Sequence, residues 1–96
     1  MAAYLIVYRE GPVQDAAQMA EYQRKTREMK SDIKPTPLVV YGAIHPLERD
    51  PPDGVIVVQF ASTDEAKAWY NSPGYQAALP HRKKAANFRA IIVEGR

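Results

Sequence analysis

The side chains of this 96-residue chain best suited to chemistry crowd into one stretch, WYNSPGYQAALPHR, from Trp69 to Arg82. Arg82 carries a planar guanidinium that can clamp a carboxylate through two parallel hydrogen bonds. Tyr70 and Tyr75 flank a Ser-Pro-Gly break and can offer hydroxyls to a ligand, and Trp69 supplies a large aromatic wall. Tyr4 and Tyr22 are the remaining aromatic candidates for the lining of a cleft. His45 stands before Pro46 with Glu48 three residues on, and an imidazole there is an acid–base candidate near neutral pH. Tyr70 is the second proton-transfer candidate. Each has a plainer reading: Arg82 in a surface or dimer ion pair, the tyrosines as core aromatics, Trp69 as a packing anchor, His45 on the surface.

Other chemistries find no residues to carry them. The chain has no cysteine, which excludes disulfides, thiolate metal sites and cysteine nucleophiles. Its two histidines lack ligand spacing, so no metal is expected, and no glycine loop cradles a phosphate. No Gly-x-Ser-x-Gly elbow is present either, and no cofactor is implied. A formal charge of +2, with acids and bases mixed, argues against nucleic acid, and the run HRKK at 81–84 reads as a solvated helix face. MAAYLIVYRE lacks the basic start and long apolar core of a signal peptide and is too short to span a membrane. A cytoplasmic protein with no membrane partner is the expectation.

These residues need elements to position them. Ala3–Arg9 is β-branched and aromatic and reads as a strand. Asp15, with Gln18 three residues on, caps a helix whose inward stripe is Met19, Tyr22, Thr26, Met29 and Ile33. Pro35 and Pro37 close that region. Leu38–Ile44 and Val55–Phe60 read as strands around the turn ERDPPDG, and Phe88–Glu94 as the last. Ser62 and Glu65 form a second capping box, for a helix running from Thr63 to about Asn71. Ser72 then caps a new start with Pro73 at its first position, where a missing N–H costs nothing. Tyr75, Ala78 and Leu79 face inward; Pro80 predicts either a kinked helix or two single turns. The whole chain is one domain, residues 1–96, in the order β-α-β-β-α-β. Right-handed crossovers turn that order into an α+β ferredoxin-like sandwich, a four-stranded antiparallel sheet with its helices on one face.

The strands are apolar on both faces. Tyr4, Ile6 and Tyr8 oppose Ala3, Leu5 and Val7; Val55 and Val57 oppose Ile56, Val58 and Phe60; Ile91 and Val93 oppose Phe88, Ala90 and Ile92. A sheet with one wet face should instead alternate apolar and polar. The helices cover one face only, so the other predicts a homodimer, sheet against sheet.

Trp69–Arg82 resembles the W-Y-x-S-P-x-Y-Q…R signature of the domain of unknown function 1330 family. AAYLIVY, Tyr22, VVQFAS and IIVEG agree with it, so the resemblance covers essentially the whole chain. It implies a dimeric α/β barrel, in which two ferredoxin-like protomers close their sheets together. Relatives in that superfamily include cofactor-independent monooxygenases, isomerases, dehydratases and haem enzymes, so the fold selects no chemistry. Two departures stand out: Gln59 where the family usually carries an acid, and Gly54-Val55 where it tends to carry a base. The expectation is a helix–sheet cleft lined by Tyr4, Tyr22, Trp69, Tyr70 and Tyr75, with Arg82 and His45 at its mouth, taking a small anionic or aromatic metabolite. The alternatives are cofactor-independent isomerase, hydrolase or monooxygenase chemistry, and a non-catalytic dimerisation module.

Overall fold

A computed structural model describes the chain from Met1 to Arg96. Four strands, β1 (Ala3–Glu10), β2 (Thr36–Val40), β3 (Gly54–Phe60) and β4 (Asn87–Glu94), form one antiparallel sheet in the order β2-β3-β1-β4. Three helices, α1 (Ala16–Glu28), α2 (Thr63–Tyr70) and α3 (Pro73–Ala85), connect them. This is the ferredoxin-like arrangement, with β1 and β3 central and β2 and β4 at the edges.

All three helix starts obey their capping residues. Asp15 Oδ1 accepts from Gln18 N at 3.1 Å, and Ser62 Oγ from Glu65 N at 3.1 Å. The Ser72 hydroxyl donates to the Trp69 carbonyl at 2.6 Å and accepts from Tyr75 N at 3.4 Å. One side chain thus closes α2 and opens α3. Pro80 leaves α3 continuous; it sits on the exposed side, so the lost backbone bond lies where water reaches it. The far end of α3 is tied down by the N–H groups of Gln14 and Asp15, both donating to the Ala85 carbonyl.

Two boundaries differ from the expectation. The first helix stops at Glu28 rather than carrying its stripe to Ile33, because Met29 turns extended and the Ser31 hydroxyl accepts from Ile33 N in a local turn. Ile33 still packs on the core, delivered by the connection. The second strand occupies Thr36–Val40, not Leu38–Ile44. Pro37 is tolerated there because β2 is an edge, a register shift falls between Pro37 and Val39, and Tyr41 leaves the strand at φ 55°.

Ala3, Leu5 and Val7 lie buried beneath the helices with Phe60 and Ala66, and Ile56, Val58, Trp69, Phe88, Ala90 and Ile92 pack around them. The opposite face carries Ile6, Val57, Ile91 and Val93 in adjacent registers, with Ile91 and Val93 46% and 43% exposed. Both faces of this sheet are therefore apolar, and the helices cover one.

Candidate functional site

Three helices bring four of the expected aromatics together. Tyr75, in the first turn of α3, is 1% exposed and sits at the centre. Its ring lies 4.5 Å from Trp69 and 5.2 Å from Tyr70, centroid to centroid, and meets Tyr22 of α1 edge-on at 6.1 Å. Phe60 backs Trp69 at 5.6 Å. The cluster forms because the Ser72 junction ends α2 on Trp69-Tyr70 and starts α3 at Pro73, two residues before the inward-facing Tyr75. These rings fill the space between the helices themselves.

The Tyr22 and Tyr75 hydroxyls are 2.9 Å apart. One proton is used between them, so the pair keeps one further O–H to donate. Burial pushes the Tyr22 phenol far above its ordinary range, reinforced by Tyr75 beside it and opposed by the charge of Arg82. Burial also raises Tyr75, while Arg82 and the bond from Tyr22 pull the other way. Both phenols stay neutral at physiological pH, as hydrogen-bond donors and not as bases.

Arg82 follows Tyr75 on the same helix face, through Ala78 and Leu79, and is 5% exposed. Its guanidinium rests 5.2 Å from the centroid of Phe88 on β4. Neither Nε nor Nη1 has a hydrogen-bond partner in the protein, and none of the four ion pairs of the fold includes this residue. A cavity of about 300 Å³ opens on it, lined also by Lys83, Ala86, Asn87 and Phe88. Buried charges are almost always paired, so an arginine held this way is poised for an anion.

Sequence reasoning missed two residues on the same side of the sheet. Arg9 pairs with Phe88 across β1 and β4 and with Gly54 across β1 and β3. Its guanidinium stands 5.4 Å over the ring of Tyr41, and a Cβ on Gly54 would lie 2.8 Å from that ring. Only glycine leaves Tyr41 room to lie on the sheet beside Arg9. Burial raises the Tyr41 phenol, and the charges of Arg9 and Arg82 oppose the shift. The signals were Gly54 itself, and an aromatic directly before Gly42 at the end of an edge strand.

Two expected site residues lie elsewhere. Tyr4 pairs with Gln59 and Val93 on the face away from the helices, because β1 buries its odd-numbered residues under them. It therefore does not line the helix–sheet layer, and Gln59, beside it, is equally remote from Arg82. His45 is exposed in the connection between β2 and β3, and no hydrogen bond or ion pair ties it to the aromatic cluster. The largest cavity, about 530 Å³, is also separate; Glu10, Asp50, Asp53 and Arg89 border it. There Arg89 pairs with Glu10 and Asp53 accepts from Gly11 N, so most of its charges are already answered. No three histidines or carboxylates converge as a metal site would need.

The family described as a domain of unknown function, DUF1330, matches residues 2–96. The chain belongs to the DUF1330 family. No curated protein matches it significantly. Solved structures share its fold: an EthD family protein of Bacillus halodurans is 17% identical, with a TM-score of 0.65 and full coverage of both chains. A dimeric ferredoxin-like protein of unknown function from Thermobifida fusca is 15% identical, with a TM-score of 0.60, covering 98% of this chain and 90% of that one. A variant of SnoaB, a cofactor-independent oxygenase of Streptomyces nogalater, is 10% identical, with a TM-score of 0.58, covering 99% and 92%. At these identities the DUF1330 chain shares their ferredoxin-like fold, and a shared fold fixes no chemistry.

Proposed function

We propose that the protein binds a small carboxylate at Arg82, beside the Tyr22–Tyr75 hydroxyl pair, and works as a homodimer joined through its open sheet faces. The buried, unpaired guanidinium of Arg82 carries the first part. A carboxylate accepts two parallel N–H bonds from such a group, and Nε and Nη1 of Arg82 have no partner in the protein. The spare tyrosine O–H is a neutral donor for a second oxygen of the ligand.

The apolar open face supports the second part. The molecule is a slab of 35 × 35 × 16 Å, so one face offers on the order of 1,000 Å², against ~800 Å² per partner in a standard interface. Ferredoxin-like proteins of this shape include dimers, as the Thermobifida fusca protein is described.

A thermal-shift screen of wild type and Arg82→Met against small carboxylates and phenols tests the site. A ligand at a hundred times its dissociation constant adds about 2.7 kcal/mol, several degrees in a domain of this size. Hits confined to the wild type are expected. Hits of equal size in both proteins would move the site away from Arg82.

A second reading, cofactor-independent catalysis, draws on the same donors. Neutral phenols next to a guanidinium suit a developing oxyanion better than a base, and SnoaB is a precedent for the fold acting without a cofactor. Under this reading Tyr75→Phe lowers kcat and leaves ligand affinity nearly intact. Proton transfer by His45 or Tyr70 would instead make His45→Ala or Tyr70→Phe abolish turnover at unchanged Tm.

A further inference from the structure

Arg82 is not the only arginine left without an acidic partner on this side of the sheet. Arg9 is part-buried, its Nε has no hydrogen-bond partner, and no ion pair includes it. Its one side-chain bond runs from Nη2 to the Asp53 carbonyl at 3.0 Å, which neutralises nothing. The nearby Asp53 carboxylate is engaged by Gly11 N instead.

Both guanidiniums lie on the helix-covered face of the sheet, and the charges of both act on the Tyr41 phenol. Arg9 and Phe88 are directly opposed across β1 and β4, so their side chains leave the same face about 5 Å apart at Cβ. Arg82 lies on the Phe88 ring and Arg9 on the Tyr41 ring. Each cation thus has its own aromatic platform, while Nε of both arginines and Nη1 of Arg82 have no partner in the protein. Two separate platforms suit two carboxylates better than one compact phosphate. Tyr41 is held for this role by the glycine beneath its ring and by a left-handed backbone, φ 55°, that a tyrosine seldom adopts.

We propose that Arg9, seated on Tyr41, is the second cationic arm of the Arg82 site, and that the ligand is a small dicarboxylate. The inference rests on the carboxylate-binding reading of Arg82 and adds to it a second charge and two residues, Arg9 and Tyr41.

Isothermal titration at constant, low ionic strength tests it with the dicarboxylates malonate to adipate, the monocarboxylates propionate to hexanoate, and inorganic phosphate. One dicarboxylate should bind wild type about tenfold or more tighter than the monocarboxylate of equal length, the worth of one charged hydrogen-bonded contact. Arg9→Gln should bring that ratio to about threefold or less while monocarboxylate binding persists. Gly54→Ala changes no charge but pushes its Cβ into the Tyr41 ring, and should weaken the preference too. Arg82→Met should abolish binding of both series.

An unchanged dicarboxylate preference in a folded Arg9→Gln would overturn the inference and leave the Arg82 reading standing. Should Arg9→Gln fail to fold, Arg9→Lys takes its place; it keeps the charge, loses the fork, and must retain a reduced preference. Phosphate binding tighter than every dicarboxylate would overturn the ligand class. Wild-type affinity in Arg82→Met, or no binding by any probe at ~10 mM, a Kd weaker than the millimolar range, would remove both readings.

Discussion

Arg82→Met should make the free protein more stable. In the wild type two buried guanidinium nitrogens lack partners, and each buried donor left unsatisfied costs about 1–3 kcal/mol. The contact with Phe88 at 5.2 Å returns about 0.5–2 kcal/mol. Methionine keeps the aliphatic stem that packs between α3 and the sheet, so little apolar burial is lost. The balance runs from about zero to about 5 kcal/mol in favour of the variant, centred on about 2–3 kcal/mol, an increment of the kind seen when buried charges give way to apolar side chains. In a domain of 96 residues each kcal/mol of that balance raises Tm by about 4 °C or more. Scanning calorimetry in a buffer free of small carboxylates and phosphate is the assay. Adding the ligand should then raise the wild-type Tm alone and narrow the gap. A variant that melts at or below the wild-type temperature would show that the guanidinium is already satisfied in the free protein, and the case for an anion would collapse.

Three further expectations follow from the same geometry. Burial holds Tyr22 and Tyr75 above their ordinary range, so the folded state keeps protons that the unfolded state loses at pH ~10. Their contribution to stability is intact below pH ~10 and is lost as pH rises beyond it; a 295 nm titration should therefore show at least two of the six tyrosines ionising only as the fold melts. Ser72→Ala removes both the cap of α3 and the bond to the Trp69 carbonyl, and should lower stability by about 1–2 kcal/mol in chemical denaturation. Val57→Lys puts a charge at the centre of the open face, opposite Ile6 and Val39; light scattering should report a monomer where wild type gives a dimer, and a wild-type monomer at micromolar concentration would refute the interface.

Most of the fold could be read from local chemistry. Asp15, Ser62 and Ser72 announce helix starts because capping is a contact between residues three apart, and each one bonds as its spacing predicts. Arg82 was found through its motif, and its helix face follows from Tyr75 by periodicity. What escaped depends on long-range placement. Arg9 reads as the charge that ends a strand; its significance comes from Phe88, about eighty residues later. Tyr41 was placed inside a strand because its partner, Gly54, is separated from it by a turn whose length does not reveal the register. Tyr4 was misplaced for a related reason. When both faces of a strand are apolar, alternation separates the two sets of side chains and says nothing about which set the helices cover.

The two unusual features of this chain, a buried unpaired cation and a sheet apolar on both sides, are connected through stability. A 96-residue domain has a small margin, a few kcal/mol, and an orphan arginine consumes a large part of it. Covering the open face acts in the opposite direction, because association that needs the folded protomer stabilises it by mass action. The two effects sit on opposite sides of the sheet and share no side-chain contact, since Arg82 packs with α3 and Phe88 while Val57 faces away from the helices. Their free energies should therefore add. Val57→Lys should lower Tm, and Arg82→Met in the same chain should restore it by the increment measured in the dimer. A restoration much smaller than that increment would mean that the site is built across the dimer, with the sheet transmitting one change to the other.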